Sequence, residues 1–276
     1  MDYGIANQQG QVSSNEAEAI LQYAQKSGID TLDTAILYGD SEQRLGEIGL
    51  RNWQVITKLP AVPEGCNDIS KWVQNTVKES LKRLKMIKLY GLLLHYPQQL
   101  LGCSGDKLYQ VLQKLKCDGL VKNIGISIYD PSELDELCGL YRFDIVQAPF
   151  NILDRRLINS SWLSRLSEQG IELHVRSIFL QGLLLMSSEI RPVQFNRWKT
   201  VWSEWDKWLD KTGLTPSEAC IRYALSFSEI TKVIIGVDSL RQLNEVLHSA
   251  QGKLPVVPPE LVCSDTDLIN PSRWGK

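Results

Sequence analysis

Short apolar runs alternate with longer stretches of helical period along nearly the whole chain. Met1 to Ser13 is polar and turn-rich, with Gly4, Asn7 and Gly10, and reads as a loop. Ser14-Asn15-Glu16 opens a helix, with Asn15 as its expected cap and Glu18 three residues on, as in a capping box. Ala19, Ile20, Tyr23 and Ala24 give that helix an apolar face, and Gly28 stops it. A strand over Asp30 to Thr34 follows directly. The alternation predicts helix Ser41–Ile48 before strand Trp53–Lys58, and helix Ile69–Leu84 before strand Lys88–Leu94. Helix Asp106–Cys117 then precedes strand Val121–Ser127, and helix Pro131–Leu137 precedes strand Phe143–Ala148. Helix Ser161–Gln169 leads to strand Ile171–Ser177; after a long helical insert, strand Lys232–Gly236 leads to helix Leu240–Ala250.

Strand and helix alternating in this way imply a parallel sheet with helices packed on it. The strands are apolar throughout, as in Val233-Ile234-Ile235, which suits burial on both faces. Two features favour a TIM-type (β/α)8 barrel over an open doubly wound sheet. No Gly-x-Gly-x-x-Gly turn follows an early strand, and polar residues fall at the carboxyl ends of many strands rather than at one switch point. Only seven strands can be found where such a barrel needs eight, so the expected fold is this α/β barrel lacking its first strand. The expected organisation is a single domain over 1–276: a loop to residue 13, the barrel over 14–252, and an extended tail over 253–276. The tail begins Lys253-Leu-Pro-Val-Val-Pro-Pro, whose prolines fix an extended backbone that could cross the barrel mouth. Within the insert Trp198, Trp202, Trp205 and Trp208 recur at helical spacing, which reads as packing against the barrel or a partner chain.

Composition narrows the function classes. With 276 residues, 43% hydrophobic and 22% charged, the chain can bury a sizeable core. Its formal net charge of −2 and the lack of long like-charge runs give no electrostatic footprint for nucleic acid. The basic cluster from Lys82 to Lys88 lies at a helix end, where cations complement the helix dipole. Cys66, Cys103, Cys117, Cys138, Cys220 and Cys263 are scattered, without a Cys-x-x-Cys pair, as expected of reduced thiols in a cytoplasmic protein. No apolar run approaches the roughly 18–20 residues of a membrane helix, and the N-terminus lacks the features of a signal peptide. His95, His174 and His248 form no recognisable metal set, so no metal is expected.

The candidate chemistry lies in Gly28-Ile-Asp-Thr-Leu-Asp33-Thr-Ala-Ile-Leu-Tyr38-Gly-Asp-Ser-Glu42 and the two strands after it. Asp33 closes one strand and Tyr38 follows in its loop; Lys58 and His95 close the next two strands. A phenol ordinarily has a pKa of about 10, and a neighbouring ammonium favours its ionised form and so makes it a better proton donor. Lys58 is placed to supply that charge, Asp33 to hold the lysine, and His95 to hydrogen-bond a substrate oxygen. Each residue alone is an ordinary cap or surface group. Their order at consecutive strand ends makes them a set.

These residues resemble the aldo-keto reductase family, whose Asp, Tyr, Lys and His form a catalytic tetrad on an eight-stranded barrel and reduce carbonyls with NADPH or NADH. The resemblance extends over nearly the whole chain. It rests on the stretch from Gly28 to Glu42, on Ile56-Thr-Lys58, Leu94-His95, Ile124-Gly-Ile-Ser127 and Gln147-Ala-Pro-Phe-Asn151. It implies a catalytic tetrad of Asp33, Tyr38, Lys58 and His95. It makes Ser127 and Gln147 partners of the nicotinamide amide group, although Ile128 stands where the family usually has Asn beside that serine. Arg176 occupies the place of a tyrosine that stacks on nicotinamide, and a guanidinium plane can also stack. Ser177 and Gly182 fall where the pyrophosphate would lie.

The stretch from Ile234 to Glu245, with Gly236, Asp238, Arg241, Gln242 and Glu245, resembles the last strand and its helix, whose N-terminus suits a phosphate. NADPH-preferring members place Lys and Arg on the 2′-phosphate; Gly236 and Gln242 stand there in this chain. Arg241 is adjacent, Asp238 would repel that phosphate if it pointed inward, and Val246 replaces a common adenine-contacting Asn. The resemblance therefore implies NADP or NAD, with the usual NADPH preference weakened. The first thirteen residues resemble the loop after the family's first strand without the strand itself, so either the true start lies upstream or the protein lives with a gap. A gap exposes backbone groups and apolar surface on two neighbours, so the expected consequences are instability, dimerisation through the gap into a homodimer, or poor cofactor binding. The leading expectation is an NAD(P)H-dependent reductase of a small aldehyde, ketone or sugar. The alternative is a non-catalytic, cofactor-binding regulatory barrel.

Overall fold

The computed structural model describes residues 12–274, and the loop expected before Ser14 falls largely outside them. The chain begins with α1 (Ser14–Lys26), which packs its buried Ile20, Leu21 and Ala24 inward, followed by β1 (Thr31–Asp33). The N-cap of α1 is Ser13, not the expected Asn15: its hydroxyl accepts from the Glu16 N–H. Next come α2 (Ser41–Ile48), β2 (Gln54–Leu59), α3 (Ile69–Leu84), β3 (Leu89–Leu94), α4 (Gly105–Cys117), β4 (Val121–Ser127) and α5 (Glu133–Leu140). β5 (Ile145–Pro149) is followed by two short helices, α6 (Arg156–Asn159) and α7 (Trp162–Glu168), and then by β6 (Glu172–Arg176). The insert holds α8 (Lys199–Thr212) and α9 (Pro216–Leu225); β7 (Lys232–Val233), α10 (Leu240–Ser249) and α11 (Thr266–Ile269) complete the order.

All neighbouring strands pair in parallel in the order β1 to β7, giving a seven-stranded sheet among the described residues. The register is set by apolar pairs such as Leu32 with Val55 and Leu92 with Ile124. The sheet curls until its two ends nearly meet: Lys232, which opens β7, reaches Asp30, just before β1, at 2.7 Å. β1 and β7 are not paired with each other. A seam of about 380 Å³ lies between them, walled by Leu21, Ala24, Leu32, Val233, Ile235 and Leu243. Helices hold the seam from outside, where Glu16 of α1 accepts the Leu240 N–H of α10 at 2.7 Å and Tyr23 donates to Asn244 at 3.1 Å.

The main core is the layer between helices and sheet, while a second small cluster of Ile56, Leu93 and Ile145 fills the inside of the curl. Its side chains alternate with those facing the helices, as the period of a strand dictates. Several expected boundaries move. β7 stops at Val233 rather than Gly236, because only Ile234 N–H still finds a sheet partner, Val175 O at 2.8 Å. The helix expected from Pro131 runs over Glu133–Leu140, and the strand after it starts at Ile145. The tail is extended to about Asp265 and then turns into α11, so the wholly extended expectation for 253–276 does not hold.

That tail is pinned to the loop after β5, with Arg155 donating to Leu261 O at 2.8 Å and Cys263 N–H to Leu153 O at 2.9 Å. The tryptophan stripe packs inward as core: Trp202, Trp205 and Trp208 are buried, and the Trp208 indole donates to Val256 O in the tail at 3.0 Å. Among the described residues no helix is long and apolar enough to cross a membrane.

Candidate active site

Parallel register brings the polar residues together. Asp33 pairs with Ile56, so Lys58 lies two residues further along β2 on the same face. Lys58 pairs with Leu93, and His95 follows the end of β3 with its N–H on Leu59 O at 3.0 Å. Ser127 pairs with Gln147, and Arg176 closes β6 beside Pro149. All these side chains therefore reach the carboxyl end of the sheet.

Lys58 is 1% exposed. Its ammonium donates to Asp33 Oδ2 at 2.6 Å and to Thr34 O at 3.0 Å. Burial pulls the Lys58 pKa below that of an ordinary lysine, the Asp33 carboxylate opposes the shift, and the nearby Arg176 guanidinium adds to it. The other carboxylate oxygen, Oδ1, accepts from the Gln147 amide at 2.7 Å, and the Gln147 carbonyl accepts from Ser127 Oγ at 3.2 Å. Ser127 and Gln147, expected at the nicotinamide amide, are thus also the far end of a chain that fixes Asp33 and through it Lys58. Sequence reasoning did not foresee this link, because Gln147 and Asp33 are 114 residues apart.

Tyr38 stands on the loop between β1 and α2. Its N–H closes a turn on Ala35 O at 2.9 Å, and the hydroxyls of Thr34 and Ser41 meet at 3.0 Å across the base of the loop. The α2 end of that loop is held by Glu42, 2% exposed, which accepts from Thr57 and Ser80 at 2.7 Å each and from the Arg83 guanidinium at 2.8 and 2.6 Å. Such close packing of α2 on α3 requires Gly46, where a Cβ would stand 2.0 Å from Arg83 O. Lys58 Nζ lies 5.4 Å from the centre of the Tyr38 ring, and the His95 ring meets that ring edge-on at 6.0 Å. Burial first, then the Lys58 and Arg176 charges, push the His95 pKa down to about 4, so the imidazole is neutral near pH 7. His95 Nδ1 is buried without a partner among the described residues.

Arg176 donates to Ile128 O at 2.8 Å and lies 4.7 Å from the Tyr129 ring centre. It lines a cavity of about 320 Å³ with Asp33, Tyr38 and Gln147. Gly236 and Ile234 line this cavity and also a second one of about 430 Å³, so the two adjoin. Ser177 and Gly182 form one wall of the second cavity, and Asp238, Arg241, Gln242 and Glu245 form another. Left-handed backbone recurs in the segment that walls it, at Ser177 (φ 61°), Gln181 (φ 55°) and Gly182 (φ 91°), and at the buried Leu180 (φ 48°) between them. At the three non-glycine residues this backbone is costly and is held by the surrounding packing. All ten expected cofactor residues thus fall on the two cavities or, for Ser127, directly behind them. The hydroxyls of Ser177 and Ser217 and the guanidinium of Arg241 give the larger cavity donors that suit a phosphate-bearing, elongated group, and the pair is of ordinary ligand-site size.

At the N-terminus of α10 some amides already have partners: Leu240 N–H goes to Glu16 Oε1, Gln242 N–H to Ser239 Oγ, and, just before the helix, Asp238 N–H to Gln242 Oε1. Among the described residues no group of three or more His, Cys, Asp or Glu side chains is placed to hold a metal ion.

The family model described as Aldo/keto reductase family matches residues 2–256. The chain belongs to the aldo/keto reductase family. Among its family relatives is the uncharacterized oxidoreductase YqkF of Bacillus subtilis (strain 168), 26% identical, with 87% of this chain and 83% of the relative covered. D-arabinose 1-dehydrogenase of Saccharomyces cerevisiae is 28% identical, with 89% and 80% covered. The fold resembles the holo form of aldo-keto reductase AKR11C1 from Bacillus halodurans, with a TM-score of 0.70 at 22% identity, covering 89% of this chain and 85% of that one.

Proposed function

We propose that this aldo/keto reductase interconverts a small aldehyde, ketone or sugar carbonyl and the corresponding alcohol, with Asp33, Tyr38, Lys58 and His95 as its catalytic residues. The observation that carries the reading is the meeting of a buried Lys58–Asp33 pair, a phenol and a neutral imidazole at one end of the sheet. Reduced nicotinamide, bound across the two adjoining cavities, would supply the hydride that goes to the carbonyl carbon. Tyr38 gives its hydroxyl proton to the carbonyl oxygen, so that C=O becomes CH–OH. The Lys58 ammonium favours the tyrosinate left behind and thereby eases the transfer. Asp33, itself held by Gln147, keeps that ammonium charged in a site whose burial works against it. His95 stays neutral and has one N–H with which to hold the carbonyl oxygen. Ser127, Gln147 and Arg176 hold the nicotinamide end; Ser177, Gly182, Gly236, Asp238, Arg241, Gln242 and Glu245 line the remainder of the cofactor's path.

The relative named as a D-arabinose 1-dehydrogenase supports an aldose among the substrates to be tried first, in the oxidative as well as the reductive direction. The test is Tyr38→Phe on the purified protein, assayed with a panel of aldehydes, ketones and aldoses. Removing the proton donor lowers kcat by about a hundred- to ten-thousand-fold, while cofactor binding followed by fluorescence is unchanged. Turnover that survives in Tyr38→Phe removes the role given to Tyr38. Tight cofactor binding without turnover of any substrate would favour a regulatory barrel instead.

A further inference from the structure

We propose that the larger cavity selects its dinucleotide by charge and takes NAD(H) in preference to NADP(H), with Asp238 as the discriminating residue. The inference rests on the cofactor reading above and refines it. Hydride has to be delivered beside Tyr38 and His95, so nicotinamide belongs where the two cavities share Ile234 and Gly236. Asp238, Arg241 and Glu245 line only the larger cavity, which puts them at the adenosine end. That end carries two carboxylates against one guanidinium, and the guanidinium already leans on one of them: Arg241 lies 3.5 Å from Glu245, with both side chains mostly in solvent. A third carboxylate, Glu16, caps the adjoining helix α10 by taking the Leu240 N–H.

Several of the donors that could receive a phosphate there are already engaged. A helix N-terminus attracts anions through its free N–H groups, and in α10 Glu16 and Ser239 have taken two of them, those of Leu240 and Gln242. The Asp238 carboxylate itself has no donor among the described residues, and partial burial raises its pKa. It is therefore an acceptor in want of a hydrogen. A ribose 2′-hydroxyl can supply one. A 2′-phosphate offers none and adds about −1.5 to −2 charge at neutral pH, next to a carboxylate whose ionisation burial already penalises.

The experiment titrates the purified full chain with NADH and with NADPH, following the fluorescence of its eight tryptophans. NADH binds more tightly by about tenfold or more at low salt, and the ratio narrows as salt screens the repulsion. Asp238→Asn, and separately Asp238→Ser, bring the ratio towards unity chiefly by tightening NADPH, with circular dichroism verifying the fold of each. Equal or tighter binding of NADPH to the wild type overturns the proposal, as does a ratio that neither substitution moves. If neither nucleotide binds, the cofactor reading falls first and this one with it.

Discussion

Two lysines in this protein reach to aspartates three residues apart in sequence, at almost the same distance, and do different work. Lys58 meets Asp33 at 2.6 Å with side chains 2% and 13% exposed; Lys232 meets Asp30 at 2.7 Å with side chains 32% and 48% exposed. The first pair joins the end of β1 to β2, which is itself paired on both sides. The second lies across the seam, between two strands that each lack a neighbour on that side among the described residues. Distance is thus a poor guide to consequence. In the interior neither charge can be left alone, so the pair is rigidly coupled and biases its surroundings. At the seam water screens both partners, and the pair acts only as a clasp.

Lys58→Met gives the largest expected break in this comparison. It removes the charge that eases proton loss from Tyr38 and leaves the Asp33 carboxylate buried with only Gln147 as donor. Stability falls by about 3 kcal/mol in chemical denaturation, and turnover is lost. Adding Asp33→Asn removes the stranded charge and restores most of the stability without restoring turnover. If Lys58→Met costs no more than a seam substitution, burial does not separate the two pairs.

Glu42→Gln sharpens the same contrast at intermediate size. Its carboxylate gathers four donors from β2 and α3, two of them on the Arg83 guanidinium, whose side chain is 35% exposed. The amide can accept from some of these but carries no charge to answer Arg83, so the expected cost is about 2 kcal/mol. Because Glu42 anchors the end of the Tyr38 loop, kcat should fall while the affinity for cofactor stays near that of the wild type. A loss in stability with kcat unmoved would make Glu42 a packing residue only.

How much of this was readable beforehand differs by kind of contact. The alternation of apolar runs and helical stretches gave α2, α3 and β4 their observed bounds, because periodicity reports which face each residue buries. The polar residues at strand ends followed from the same alternation, since parallel strands share one carboxyl end. Ends governed by capping or by the loss of a single sheet partner, at Ser13 and Val233, were misjudged because one hydrogen bond decides each. Contacts between distant residues were invisible: nothing local to Gln147 announces Asp33, and nothing near Leu240 announces Glu16. The second of these brings a carboxylate to the N-terminus of α10 from 224 residues away.

The smallest effect belongs to Lys232→Ala. The Asp30 carboxyl is held below its usual pKa range chiefly by the hydrogen bond from Lys232, yet both groups are well exposed, so the pair is worth less than about 1 kcal/mol after screening. Global stability should barely change, because α1 and α10 still bridge the seam through Glu16 and Tyr23. Hydrogen exchange is the sensitive readout. Amides of Val55 to Leu59 on β2, buried and paired on both sides, exchange through global opening, whereas those of Thr31 to Asp33 and of Lys232 and Val233 exchange through local opening. Lys232→Ala should speed only the second set. Equal protection of both sets in the wild type would mean that the seam is as well held as the interior, and the difference between the two lysines would then lie in solvent access alone.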